Sequence, residues 1–345
     1  MSLIKKIVLT FLVILIVFVV YTVVTTGFFR TIDNKFDGQL VKKVPLFGTE
    51  DITVSTIDGF ALISSTKRET MALEAGDGEL YLMDMNSGEY QVTNLTASFQ
   101  KPFAPHGISM LKIDSTYKVM AVNHTPTGHS LEVFSMKDNE MTHKKTLTDK
   151  SMVSPNDVVI IDENRFYFTN DHAYTGMSRL LEDYGGLSVS NVVYYDGENY
   201  SEVATGIGYA NGINFDPKRN LLFVASPRKF LVKVYARNTD GSLEFIEDIP
   251  CGTGVDNIEF DSEGNLLIGA HPSLLTFTAY MAGKIEFAPS EVVKISYRGK
   301  GDFTVESIFL DDGTTISAST VAAPYKDLIL VGNLKDDALL VLKKE

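Results

Sequence analysis

The chain has 345 residues and sets 31 Lys and Arg against 44 Asp and Glu, a formal net charge of −13 at pH 7. That balance argues against a nucleic-acid binder, which needs a basic face to displace counterions, and leaves cation binding open. With 44% apolar and 22% charged residues the bulk is not disordered, and the single cysteine, Cys251, excludes an internal disulfide and a thiolate zinc site.

Residues 7–29 run for 23 positions without a charge, behind Lys5 and Lys6. As a helix at about 1.5 Å per residue they reach about 35 Å, enough to cross a hydrocarbon core of about 30 Å. A cleaved signal peptide wants a shorter apolar core of about 7–15 residues and a small-residue cleavage site. Residues 1–30 therefore read as an uncleaved signal anchor with a cytoplasmic amino terminus. The body, residues 31–345, is then a catalytic domain on the extracytoplasmic side of a membrane, in a periplasm, a lumen or the extracellular space. A cleaved leader and a secreted body are the alternative.

Beyond Asn34 the grammar changes to short alternating or apolar runs bounded by Gly, Asp, Asn and Pro, which is strand grammar. The runs repeat. A polar pair followed by a short apolar strand appears as Glu50-Asp51, His106-Gly107, Asn156-Asp157, Asn211-Gly212 and Asp256-Asn257, with a degenerate copy at Ser319-Thr320. Successive copies start 45 to 63 residues apart. Each is followed by a turn and a second strand, at 60–64, 119–123, 165–169, 221–225, 266–270 and 328–332. Third strands fall at 80–85, 131–136, 192–196, 231–235, 292–297 and 338–342, and fourth strands at 90–95, 141–147, 200–204, 243–249 and 303–309. The sixth unit lacks its own outer strand, which residues 40–44 can supply. Six units of four strands describe an all-β chain, a six-bladed β-propeller behind an amino-terminal transmembrane helix. A sandwich or jelly roll would explain strands but not this repeated order.

In a propeller the first strand of every blade lines the central channel, so symmetry brings the polar pairs together at one end. The converging set is rich in carboxylate and amide oxygens and has no sulfur, the chemistry of Ca²⁺ rather than Zn²⁺. Asx residues also cap turns, but five units with matched polar pairs exceed what turn chemistry needs. Of six histidines, His106 and His124 sit on neighbouring strands of unit two, where imidazoles can move a proton near neutral pH. Asp171, His172 and His271 end second strands and read as substrate-binding pocket residues, while His129 and His143 read as solvated. No nucleophile elbow, P-loop or dinucleotide fingerprint is present; Gly252-Thr253-Gly254 is a lone glycine pair, and Asp261 to Asn265 is a hairpin turn. Asn94-Leu95-Thr96 and Asn199-Tyr200-Ser201 match the glycosylation pattern, a frequent chance match.

From about Leu40 to the carboxyl terminus the chain resembles the paraoxonase family of calcium-dependent lactonases and arylesterases. The resemblance rests on Gly48-Thr49-Glu50-Asp51, Pro105-His106-Gly107-Ile108-Ser109, Val122-Asn123-His124, Thr169-Asn170-Asp171-His172, Ala210-Asn211-Gly212, Val255-Asp256-Asn257-Ile258 and His271-Pro272, in order and spacing. It implies two Ca²⁺ ions in the channel: a catalytic ion held by Glu50, Asn156, Asn211, Asp256 and Asn257, and a deeper structural ion held by Asp51, Asp157 and the Ile108 carbonyl. It also implies a catalytic dyad of His106 and His124, a small lactone or ester as substrate, and water attack on a Ca²⁺-polarised carbonyl. The chain departs from the family in lacking its terminal disulfide and in having Ala270 where those enzymes carry a free cysteine. Segments 66–77 and 277–289 are expected to roof the pocket, without a motif to fix the substrate. Two other readings share the architecture: a non-enzymatic, membrane-anchored assembly partner, and a gluconolactonase-like or strictosidine-synthase-like propeller. An uncleaved anchor leaves residues 7–29 on the mature chain and carries it into the membrane fraction; amino-terminal sequencing of fractionated material checks this. A soluble mature chain beginning near residue 30 is the contrary outcome.

Overall fold

Period-two apolar patterning between tight turns yields six antiparallel sheets, the blades of a six-bladed β-propeller. The computed structural model describes residues 2–68, 78–126 and 128–344. The innermost strands, in chain order, are Thr49–Ser55, Pro105–Ile113, Pro155–Ile160, Ile213–Asp216, Gly254–Phe260 and Ser319–Tyr325. Blades one to four then run outward strand by strand in sequence order, and blades five and six do so up to an outermost strand taken from the amino-terminal segment.

Closure follows the expected route. Gly38–Pro45 pairs antiparallel with Ala338–Lys344, so the amino-terminal strand completes the blade built by the carboxyl-terminal ones. Without a disulfide, this ladder ties the ring shut. A short strand not foreseen from sequence, Lys35–Phe36, adds a fifth member to blade five through Phe36 opposite Phe309.

The core is distributed. Each of the six gaps between neighbouring blades holds its own apolar cluster. Between blades six and one, for example, Val321, Leu330 and Val341 pack against Ile52, Ala61 and Met83. Both faces of an inner blade strand are therefore apolar, and second strands such as Leu221–Ser226 are buried almost throughout.

Among the described residues three α-helices lie outside the blades. Helix α1, Leu3–Thr25, is the one described helix long and apolar enough to cross a membrane, and its side chains are exposed until Thr22. Helix α2 is a single turn, Arg179–Asp183, and helix α3 spans Leu274–Met281, capped by Ser273. Of the expected roof, residues 69–77 lie outside the described residues, and α3 begins before residue 277. Leu330→Ala should cost about 2–5 kcal/mol through the cavity it leaves between blades, read as a lowered midpoint in chemical denaturation.

Candidate active site

Five of the six polar pairs are β-bulges, the exception being Asn211-Gly212, which precedes its strand. In blades one, two, three, five and six the inner strand slips register against its neighbour at the pair, between Thr49 and Asp51, Pro105 and Ile108, Pro155 and Val158, Val255 and Ile258, and Ser319 and Ala322. A bulge adds a residue to one strand and re-aims its side chains, here toward the channel. The glycines in two of the pairs make room. A Cβ at Gly107 would stand 2.4 Å from the Asp157 carboxylate, and one at Gly212 would stand 2.4 Å from the Asp256 carbonyl. The next residue then donates across the gap between blades: Ile108 N to Asp51 Oδ2 and Ile213 N to Asp157 Oδ2, each at 2.7 Å.

Two cavities divide the predicted residues. One, of about 420 Å³, is lined by Glu50, His106, Asn156, Asn211, Asp256, His172 and His271, with Thr26, Leu180 and Leu274 at its rim. The other, of about 250 Å³, touches Asp51, Ile108 and Asp157 from further along the channel. Asn257, Asp171 and His124 line neither; they stand behind Glu50, Asn156 and His106, which do.

The larger cavity exposes an unmet demand. Glu50 Oε2, Asn156 Oδ1, Asn211 Oδ1, Asp256 Oδ1 and Asn257 Oδ1 are buried and accept no hydrogen bond. Orphaned buried oxygens are costly and rare, and here they are the same five residues expected to hold the catalytic ion. Two carboxylates and three amides make a hard-oxygen set that fits Ca²⁺. Their remaining atoms are fixed: Asn257 Nδ2 donates to Glu50 Oε1 at 2.9 Å, and His271 Nε2 lies 2.9 Å from Asp256 Oδ2. Among the described residues no cluster of three or more His, Cys, Asp and Glu forms a metal site, because amides carry most of this donor set. Burial alone would raise Glu50, but His106, and then the buried Arg68 guanidinium, bring its carboxyl below the ordinary range. Burial and the Glu50 charge push Asp51 well up, and burial and Asp51 do the same to Asp157.

His106 and His124 meet edge to face, ring centres 5.1 Å apart, and His106 Nδ1 lies 3.2 Å from Glu50 Oε2 without hydrogen bonding to it. Two histidines expected in solvent are half-buried and held by side-chain partners. His129 stands directly across the strand pair from His124, its Nδ1 2.8 Å from His124 Nδ1. His143 Nε2 binds the buried Glu132 at 2.8 Å. Turn position and strand number predicted exposure; cross-strand partners override it. His271 stacks on Phe277 of α3 at 4.1 Å, which ties the site to its roof.

His172 fastens the other half of the roof. Its Nδ1 bonds Asp171 at 2.7 Å, and its Nε2 bonds Asp183 of α2 at 2.8 Å. Burial opposes a charged ring, but the two carboxylates outweigh it and lift the pKa to about 9. Arg179 Nη2 lies 2.7 Å from the same Nδ1; a protonated Nδ1 cannot accept from it, so that contact repels. Asp171 also takes Asn156 Nδ2 at 3.4 Å, and Tyr209 covers the His172 ring. Arg228 donates to the Asp183 and Tyr184 carbonyls, and Thr22 of α1 donates to Tyr184 as well. Arg68, Tyr209, Arg228 and α2 carried no local motif, and the sequence reading missed them.

With this geometry in place, likeness to known proteins becomes informative. The family model described as Arylesterase matches residues 31–341. The chain belongs to the arylesterase (paraoxonase) family. Serum paraoxonase/arylesterase 1 of Homo sapiens is 32% identical over 314 residues, 87% of each chain. Serum paraoxonase/arylesterase 2 of Gallus gallus is 33% identical over 303 residues, 85% of each. Serum paraoxonase/lactonase 3 of Oryctolagus cuniculus is 31% identical over 83% of each. Among solved structures, a luciferin-regenerating enzyme superposes with a TM-score of 0.55 at 12% identity, covering 90% of this chain and 95% of that one. Regucalcin of Agrobacterium tumefaciens, described as a calcium-binding protein, gives 0.52 at 15% identity, covering 90% and 96%. These two likenesses show the propeller fold alone.

The His172 clamp has a pH signature. Its folded pKa, about 9, lies above the ordinary 6.5, so its stabilisation is complete below pH 6.5 and is lost as pH rises through 9. The contribution at neutral pH is about 3 kcal/mol. His172→Gln should lower the melting temperature at pH 6.5 and flatten its decline toward pH 9.5, checked by thermal unfolding across that range.

Proposed function

We propose that this chain is a Ca²⁺-dependent hydrolase of lactones and aryl esters, anchored to a membrane by α1. Family membership supports an esterase or lactonase. The observation that carries the finer reading is the coincidence of four of the five orphaned oxygens with His106 beside Glu50 in one cavity, the fifth being that of Asn257, which donates to Glu50. A Ca²⁺ ion bound by Glu50, Asn156, Asn211, Asp256 and Asn257 supplies a Lewis acid for a carbonyl and its developing oxyanion. Asp51, Asp157 and the Ile108 carbonyl would hold the deeper ion.

The protein's own groups do the rest. His106 Nδ1 faces Glu50, which leaves Nε2 to take a proton from the water that attacks the carbonyl carbon. That attack gives a tetrahedral intermediate without a covalent enzyme adduct. His124 packs against the His106 ring and limits its rotation. Asp171 orients Asn156, and His271 orients Asp256, so both act through the donors rather than on substrate. His172, with Asp183 and Leu180, shapes the side of the cavity where the acyl or alcohol portion would lie.

Three polar features favour a retained helix. Thr22 and Thr26 are buried at the end of α1, Leu274 N donates to the Thr26 carbonyl, and Arg228 lies over the Tyr21 ring. Cleavage after the helix would strip these partners from the roof. An assembly partner with a retired site would not need the full set of donors together with both histidines, so the hydrolase reading is preferred.

The test is hydrolysis of phenyl acetate and a panel of γ- and δ-lactones, with and without chelator. Chelation should abolish hydrolysis and lower the melting temperature. His106→Gln should cost about 10²–10⁴ in rate. Glu50→Gln should be more damaging than His124→Gln, because it removes a donor as well as the partner of His106. Full activity in excess chelator overturns the proposal.

A further inference from the structure

Ester and lactone hydrolysis at neutral pH releases a carboxylic acid that ionises, so each turnover must deliver one proton from the attacking water to bulk solvent. His106 is partly exposed, but only into the cavity where the substrate would lie, so a bound ester closes that exit; His124 is poorly placed to deliver the proton alone. His124 is 5% exposed, and it shares the interior with the buried Arg68. Something must connect it to water.

The connection is on the adjacent strand. His129 is a direct cross-strand partner of His124, and their Nδ1 atoms are 2.8 Å apart, with the rings edge to face at 4.9 Å. Only one proton can lie between two nitrogens at that distance. With Nδ1 of His124 engaged, Nε2 is the single nitrogen it has left to offer the His106 side. His129 is half-buried where His124 is not exposed, so it spans the gap from interior to solvent.

Resting on the hydrolase reading above, we propose that His129 is the third member of the histidine array, a positioning residue that sets the tautomer of His124 and is the outlet for the catalytic proton. In the resting state His124 carries its proton on Nδ1 and donates it to the bare Nδ1 of His129. When His124 accepts a proton at Nε2, it passes its Nδ1 proton to His129, which becomes an imidazolium. His129 then loses its Nε2 proton to water. Each ring ends neutral with its proton on the opposite nitrogen, and rotation or reverse exchange with solvent restores the start. No oxidant, reductant or other reactant is needed.

The surroundings suit the direction of flow. Burial, then the neighbouring His106 and His129, hold the His124 imidazole well below its ordinary range, so it rests neutral and does not store the proton as a cation; a proton arriving at Nε2 is passed on from Nδ1. Burial lowers His129 less completely, because that ring is only half-buried; Asp171 of blade three favours its cation while Arg179 of α2 opposes it. These are the charged groups that face the pair: His106, Arg68, Asp171 and Arg179.

The test uses the full Ca²⁺-loaded chain in detergent micelles with phenyl acetate. In dilute buffer His129→Gln, which keeps a hydrogen-bonding side chain but cannot relay, should lower kcat about tenfold and leave KM within about twofold. Added imidazole should restore most of the loss, and the melting temperature should not move. Ring ¹⁵N spectra of the six histidines should show the His124 tautomer shift in the variant. An unchanged kcat, or a loss that imidazole does not relieve, overturns the outlet. Wild-type protein without hydrolysis overturns the hydrolase reading itself, which separates the two failures.

Discussion

The protein gathers carboxylate and amide oxygens at the axis of a barrel-like ring and leaves five of them without hydrogen-bond partners. Everything near the channel answers to that demand. The bulges exist to turn these side chains inward, and the glycines of Gly107 and Gly212 exist to let the next blade approach. The Asp51 and Asp157 carboxylates bind amides of the following blade, so the electrostatics of the site and the alignment of neighbouring blades are the same set of bonds. A substitution there disturbs chemistry and closure together.

Repetition made the fold legible. A polar pair, a turn and an apolar strand recur with the same phase in every unit, and the propeller converts that linear phase into spatial convergence. Glu50, Asn156, Asn211, Asp256 and Asn257 could therefore be grouped although they lie far apart in the chain, and the closing strand could be placed because the last unit was short. Family motifs then distinguished roles that spacing alone left open.

What repetition does not encode was not legible. The roof is built by single-copy segments: a five-residue helix, a histidine clamp and the end of α1. None has a period, and several of their partners lie far along the chain, up to 203 residues away. His129 and His143 were misplaced for a related reason. Exposure was inferred from position in a unit, whereas it is decided by the residue opposite on the next strand, His124 in one case and, through a hydrogen bond across the hairpin, Glu132 in the other. Arg68 likewise sits at the end of an ordinary second strand and shows its importance only once Glu50 is seen beside it.

The two oxygen clusters differ in how the protein offsets their charge. Glu50 has His106 and Arg68 at hand, and these outweigh its burial, so its carboxylate is tolerable without an added cation. Asp51 and Asp157 are met by backbone amides and by each other's repulsion, and both are driven well up. Ionised together they require a cation; protonated, each loses acceptor strength toward the amides that align the blades. Asp256, beside Glu50, is raised by burial in spite of His271, so the need for a positive charge is shared by both clusters and is greatest at the deeper pair. Two divalent ions would bring the formal charge from −13 to about −9, and part of the acidity that remains is itself buried, at Glu132, Glu182 and Glu291.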